Sequence, residues 1–233
     1  MDRREYLRNA VVAGTVPLVA GCLGSSGGSS KTHFGKPKDQ AAKSADLPYP
    51  AWGQQLPSVT VPAPLQGGTE VTIPDQFSGK NVMLTFFYSH CPAVCQIMIS
   101  QLRSIQTDAV NNGYADEVVF LAVDFDPARD TADRLRSYAK EKHVDLNAGN
   151  WYFLRPKSPA RAKSVVQDTY GIKFQKTTPK NADPGVYYFN HLGMIFLANG
   201  DGYVERTYQF AQSGNSPWQS KRDDLKQLIK KEG

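Results

Sequence analysis

Two kinds of apolar run divide this chain. Residues 81–88, 118–124 and 151–154 are nearly continuous runs rich in aromatic and β-branched types, and each is too short for an ordinary helix, so they read as buried strands. Between them the apolar positions recur at helical period. Val94, Ile97, Met98, Leu102 and Ile105 share one face of a helix over 92–111, which Asn112-Gly113 closes. Further helices are predicted over 131–142 and 158–170. Residues 185–190, 194–197 and 203–208 read as extended, the last two joined across Asn199-Gly-Asp-Gly202, a hairpin signal. A final helix over 217–231 carries Leu225, Leu228 and Ile229 on one face and lysines elsewhere. Short extended pieces near 58–61 and 70–73, in a proline-dotted stretch, predict an N-terminal hairpin or edge strands.

The order βαβα followed by ββα implies parallel strands with crossover helices and then a hairpin capped by a helix. That is an α/β, thioredoxin-like fold with an N-terminal β extension. With 233 residues, 40% hydrophobic and 21% charged, the chain is one globular domain with appendages.

The appendages lie at the N-terminus. Residues 1–21 pair Arg3-Arg4 and Tyr6-Leu7 with a modest apolar run from 10 to 20, too short and too rich in Ala and Gly to span a bilayer. This resembles a twin-arginine export signal, and Val19-Ala-Gly-Cys22 resembles a lipoprotein box. Cleavage before Cys22 would leave that cysteine lipidated, with the protein anchored on the outer face of the cytoplasmic membrane. Residues 22–48, rich in Gly, Ser, Lys and Ala without an apolar period, are expected to be a flexible tether of roughly 25–30 Å r.m.s. span. Residues 49–233 then form the domain. The formal charge of +5 suits an anionic lipid surface or an acidic partner, while no basic motif interleaved with aromatics points to nucleic acid. The chain is expected to act as a monomer.

With Cys22 taken by lipid, Cys91 and Cys95 remain, spaced Cys-x-x-x-Cys where the 81–88 strand meets its helix. A helix N-terminus favours thiolate over thiol, and neighbouring His90 could act in the same direction. A structural disulfide, thiol–disulfide exchange with Cys91 attacking and Cys95 resolving, and metal binding are all open to such a pair. A third donor discriminates among them. His191 is the candidate, because in a thioredoxin-like fold the residue entering the final hairpin faces the cysteine helix. The segment 187–193 contains no proline, the residue that thioredoxins hold there. Met98 and Met194 fall at core positions, His33 and His143 read as solvated or capping, and Arg129 and Asp130 as pins of a turn with Asp130 or Thr131 capping the next helix.

Four features in order resemble the Sco/SenC family of copper-binding factors for cytochrome c oxidase assembly. Ser89-His-Cys91-Pro-Ala-Val-Cys95 is similar to the family's Thr-x-Cys-Pro-x-x-Cys motif, and Asp126-Pro-Ala-Arg-Asp-Thr131 to its Asp-Pro-x-Arg-Asp-Thr turn. Val186-Tyr-Tyr188 then precedes His191, and a Gly-Asp-Gly hairpin follows. Gln96 stands where a proline is usual, and Asn190-His191-Leu192 where Asp-His-Ser is usual. The resemblance, covering residues 60–231, implies that Cys91, Cys95 and His191 bind one copper, as Cu(I) or Cu(II), a preference that soft thiolates share. It implies a chaperone and not an enzyme, delivering copper to the binuclear site of cytochrome c oxidase subunit II or a related copper protein. A thiol–disulfide oxidoreductase acting on the oxidase cysteines or other exported thiols is the alternative.

Overall fold

The computed structural model describes residues 31–210 and 217–233. The expected signal and Cys22 lie outside the described residues. A five-stranded sheet in the order β5-β4-β3-β8-β9 forms the frame, with β3 (Asn81–Phe87), β4 (Val118–Asp124) and β5 (Trp151–Leu154) mutually parallel. The hairpin of β8 (Gly193–Ala198) and β9 (Val204–Phe210) adds to β3 in antiparallel sense. Every residue of β3, β4 and β8 is buried, which is why their sequences are apolar runs without alternation.

The parallel order requires crossover helices, and α1 (Val94–Asn111) and α2 (Ala132–Glu141) supply them. Phe87 stacks on Tyr138 of α2, and Thr85, on the same face of β3, reaches Met98 of α1. Phe86 points to the opposite face, against Phe196 and Tyr170. This places α1 and α2 on one face of the sheet. The 158–170 helix exists in two parts, α3 (Pro159–Lys163) and a π-helical turn over Ser164–Thr169. The closing helix α4 is Trp218–Glu232. The N-terminal hairpin pairs β1 (Val59–Ala63) with β2 (Thr69–Ile73), as expected.

Two elements differ from the expectation. Residues 185–190 contribute β7 (Tyr188–His191), but its partner β6 (Phe174–Thr177) has no clear signal in the sequence. Together they make a two-stranded ribbon outside the main sheet. Its half-exposed four-residue strands bury too little for a strong apolar pattern.

The expected tether also needs correction, because from residue 31 the chain is seated on the domain. Both carboxylate oxygens of buried Glu205 accept backbone N–H bonds, from His33 at 2.7 Å and Phe34 at 2.9 Å. The Asn199 amide donates to the same carboxylate and to the Lys31 carbonyl. Phe34 is buried under the Arg206 guanidinium, and Trp52 donates its indole N–H to the Phe34 carbonyl. Farther on, Gly171 has φ +70°, and a Cβ there would fall 1.6 Å from the Pro48 carbonyl oxygen, so only glycine lets this segment close in. Buried backbone donors without a charged acceptor would be costly, so Glu205→Ala is expected to destabilise the domain by about 2–4 kcal/mol. A lowered urea midpoint, with faster proteolysis within residues 31–46, is the readout.

Candidate metal centre

At the carboxyl end of β3, residues 88–93 form a loop before α1. Helix α1 begins at Val94, so Cys91 and Pro92 precede it instead of opening its first turn. Cys91 is tied back by its N–H to the Tyr88 carbonyl at 3.2 Å. The Gln96 side chain donates to the Cys91 carbonyl at 2.7 Å. Gln96, which stands where a proline is usual in the resembling family, thus closes the loop by a side-chain hydrogen bond.

Beneath the loop lies a buried polar frame. Asp130, fully buried, accepts from the Ser89 backbone N–H at 2.6 Å and hydroxyl at 2.5 Å, and lies 3.1 Å from His90 Nδ1. Arg155 holds the Asp130 carbonyl, and Arg134 donates to the Ser89 hydroxyl. Thr131, not Asp130, caps α2 by accepting the Arg134 N–H. Asp124 at the end of β4 is held well above the usual carboxylate range, chiefly by burial and then by the charge of Asp130. His90 therefore belongs to this frame. Met98 and Met194 are core residues, and His143 ends α2 with φ +55°.

His191 closes the site from above. Its Nε2 lies 3.6 Å from Cys91 Sγ and 3.4 Å from Cys95 Sγ, and the three donor atoms all fall within 4.8 Å of one another. Tyr88 meets the imidazole edge-on, with centroids 5.9 Å apart, and Phe125 tilts against it at 5.2 Å. Gly193 allows this approach, since a Cβ there would lie 2.5 Å from a Val94 methyl at the start of α1. Cys91 and Cys95 are both buried free thiols.

The two sulfurs are electrostatically unequal. Cys91 is lowered to about 4, first by the hydrogen bond from Cys95, then by His191 and by the backbone N–H groups of Ala93 and Cys95 at the open end of α1. Cys95 is pushed well above the ordinary thiol range, chiefly by burial and then by the neighbouring Cys91. The two thiols thus titrate as one coupled pair whose shifts run in opposite directions. Thiolate absorbance near 240 nm of the reduced, metal-free protein is expected to show a single thiolate that is lost only as pH falls towards 4. Because the unfolded thiol titrates near ~8.5, this thiolate's contribution to stability is complete above that pH and fades as pH falls through the folded value. Cys95 acts in the opposite sense at alkaline pH, where the unfolded chain ionises first.

Three donors about 3.7 Å apart surround a trigonal centre with bonds of about 2.2 Å, so the observed separations need only small adjustments to accept one metal ion. Two thiolates and one imidazole favour a soft ion that accepts three ligands. Among the described residues no other group of three or more His, Cys, Asp or Glu side chains converges in this way.

The SCO1/SenC family model matches residues 65–226 of this chain. The chain is 29% identical over 119 residues to "Protein SCO1 homolog 1, mitochondrial" of Arabidopsis thaliana, covering 51% of this chain and 32% of that protein. It is 25% identical over 154 residues to "Protein SCO2 homolog, mitochondrial" of Danio rerio, covering 66% and 52%. The matches thus span about a third to a half of these relatives' length. In fold it is similar to the crystal structure of Arabidopsis thaliana ScoI with copper bound, at TM-score 0.58 and 24% identity, covering 75% of this chain and 97% of that one. That likeness establishes the thioredoxin-like architecture. On the family match, which takes in both cysteines, the Asp-Pro-x-Arg-Asp-Thr turn and the histidine, this chain belongs to the SCO1/SenC family.

Proposed function

We propose that this protein is a copper carrier that binds one copper through Cys91 Sγ, Cys95 Sγ and His191 Nε2 and delivers it to the binuclear copper site of cytochrome c oxidase. The observation that carries this reading is the convergence of the three donors at one end of the sheet. The family to which the chain belongs adds weight, as does the copper bound to the similarly folded plant protein. Uptake of copper displaces the proton that the coupled pair of thiols retains. Release proceeds by ligand exchange: a thiolate of the recipient enters as His191, the single neutral donor on a ribbon outside the main sheet, leaves. The recipient's thiols must therefore be reduced.

In the same proposal the protein works as a monomer on the outer face of the cytoplasmic membrane, held by lipid on Cys22 after twin-arginine export. Its seated segment from residue 31 leaves residues 22–30 between that lipid and the domain. A strain lacking the protein is expected to assemble oxidase deficient in copper under copper limitation, restored by the wild-type gene and not by Cys91→Ser. A normally metallated oxidase in that strain would reject the reading.

One observation favours a second reading, thiol–disulfide exchange. A low-pKa Cys91 beside a protonated Cys95 is the arrangement of an attacking and a resolving thiol. That chemistry gives His191 no obligatory part. Full activity of His191→Ala in the cell, with either cysteine substitution inactive, would select it.

A further inference from the structure

His191 lacks the support that metal-binding histidines ordinarily have. Such a ligand usually donates its second ring N–H to a carboxylate, carbonyl or water, which fixes the tautomer and aims the ring. Here Nδ1 is buried and has no hydrogen-bond partner among the described residues. Its neighbour Asn190 occupies the place where the resembling family carries an acid. The ring must therefore be aimed through its backbone and its packing. That backbone is β7, part of a ribbon that lies outside the five-stranded sheet.

The ribbon is clamped at its entry. The Arg129 guanidinium lies 3.5 Å from the centroid of the Tyr187 ring, and its Nη1 donates to the Tyr187 carbonyl at 3.0 Å. Arg129 Nε donates to Asp126 Oδ2 at 2.6 Å, while the Tyr187 hydroxyl donates to Asp126 Oδ1 at 2.8 Å. Asp126 is buried, and its N–H is bonded to Asp124 at the end of β4. A closed triangle of Asp126, Arg129 and Tyr187 thus links the buried sheet to the residue immediately before β7. From Tyr188 to His191 the chain is paired strand, which carries a fixed position over about 10 Å. The Phe189 N–H also donates to the Tyr88 hydroxyl at 3.2 Å, and the Tyr88 ring packs edge-on against Phe189 and His191, which ties β7 further to the β3 end.

We propose that Arg129 is the positioning residue for His191, holding the β7 arm so that Nε2 stays over the two sulfurs. The inference rests on the copper reading for its consequence but not for its geometry. An arginine is required, because the contact combines a planar stack, a bond to a carboxylate and a bond to a carbonyl; a lysine supplies charge without the plane.

The test compares the full-length wild type with Arg129→Lys, Arg129→Met and Tyr187→Phe. Tyr187→Phe removes only the hydroxyl bond and leaves the Asp126–Arg129 ion pair in place. Backbone amide exchange is read in the reduced, metal-free proteins, and Cu(I) affinity by chelator competition. Both Arg129 variants are expected to speed exchange of the β7 amides, Phe189 among them, at least tenfold, with β3, β4 and β8 unchanged. Copper affinity is expected to fall about 10–100-fold, the usual cost of losing outer support of a ligand. Tyr187→Phe moves exchange and affinity in the same direction by less. Unchanged β7 exchange overturns the proposal, as does faster exchange across the whole sheet or faster β7 exchange with wild-type copper affinity. Should the wild type itself bind no copper, the copper reading fails, and the exchange comparison still decides whether Arg129 holds the arm.

Discussion

Cys95→Ser is expected to lower copper affinity by more than about a hundredfold, beyond what loss of a ligand's outer support costs. A hydroxyl neither ionises at this buried position nor offers a soft donor, so copper would keep only Cys91 and His191. Cys95→Ala, whose methyl cannot donate as a serine hydroxyl can, would also remove the hydrogen bond that most strongly depresses Cys91. The remaining thiolate should then titrate at higher pH, a shift visible near 240 nm. Cys91→Ser is expected to lose copper equally. It leaves Cys95 buried and without the thiolate partner that raises it, so the two serine variants should differ in their titration while agreeing in their copper loss. Chelator competition with the reduced proteins reads the affinities.

Asp130→Ala is expected to produce the largest loss of stability, about 3–5 kcal/mol, the range for removing one partner from a buried charged network. It strips the acceptor from the Ser89 N–H and hydroxyl and from His90, all within two residues of Cys91. The Cys91 loop would loosen along with the fold. Asp130→Asn retains an acceptor of the same shape and should cost less. Urea unfolding of the metal-free proteins measures both. An Asp130→Ala protein as stable as the wild type would mean that the buried frame does not hold the cysteine loop.

Much of this was legible in the sequence, for identifiable reasons. Residues 81–88 and 118–124 signalled buried strands because a strand covered on both faces needs apolar side chains throughout. Asn199-Gly-Asp-Gly202 announced its turn, since Gly202 takes φ +79°. Cys91, Cys95 and His191 could be brought together on paper because the element order implied the fold, and the fold places the entry of the final hairpin beside the cysteine helix. What stayed hidden has no local pattern. Strand β6 is four residues of mixed burial. The seating of residues 31–34 depends on Glu205, some 170 positions away, accepting backbone bonds that any sequence there could donate. One aromatic, Phe34, was the available hint within a Gly, Ser and Lys stretch. Likewise Arg129 read as a pin for its own turn, and nothing in the spacing of Arg129 and Tyr187 revealed that the pin also holds the histidine arm.

The copper stoichiometry and affinity of the reduced protein, set beside those of His191→Ala, test the central claim most directly. One copper per wild-type chain is expected, and for His191→Ala an affinity lower by at least about a hundredfold with both thiols intact. Wild-type affinity in His191→Ala would contradict it, leaving Cys91 and Cys95 as a redox pair with a histidine nearby.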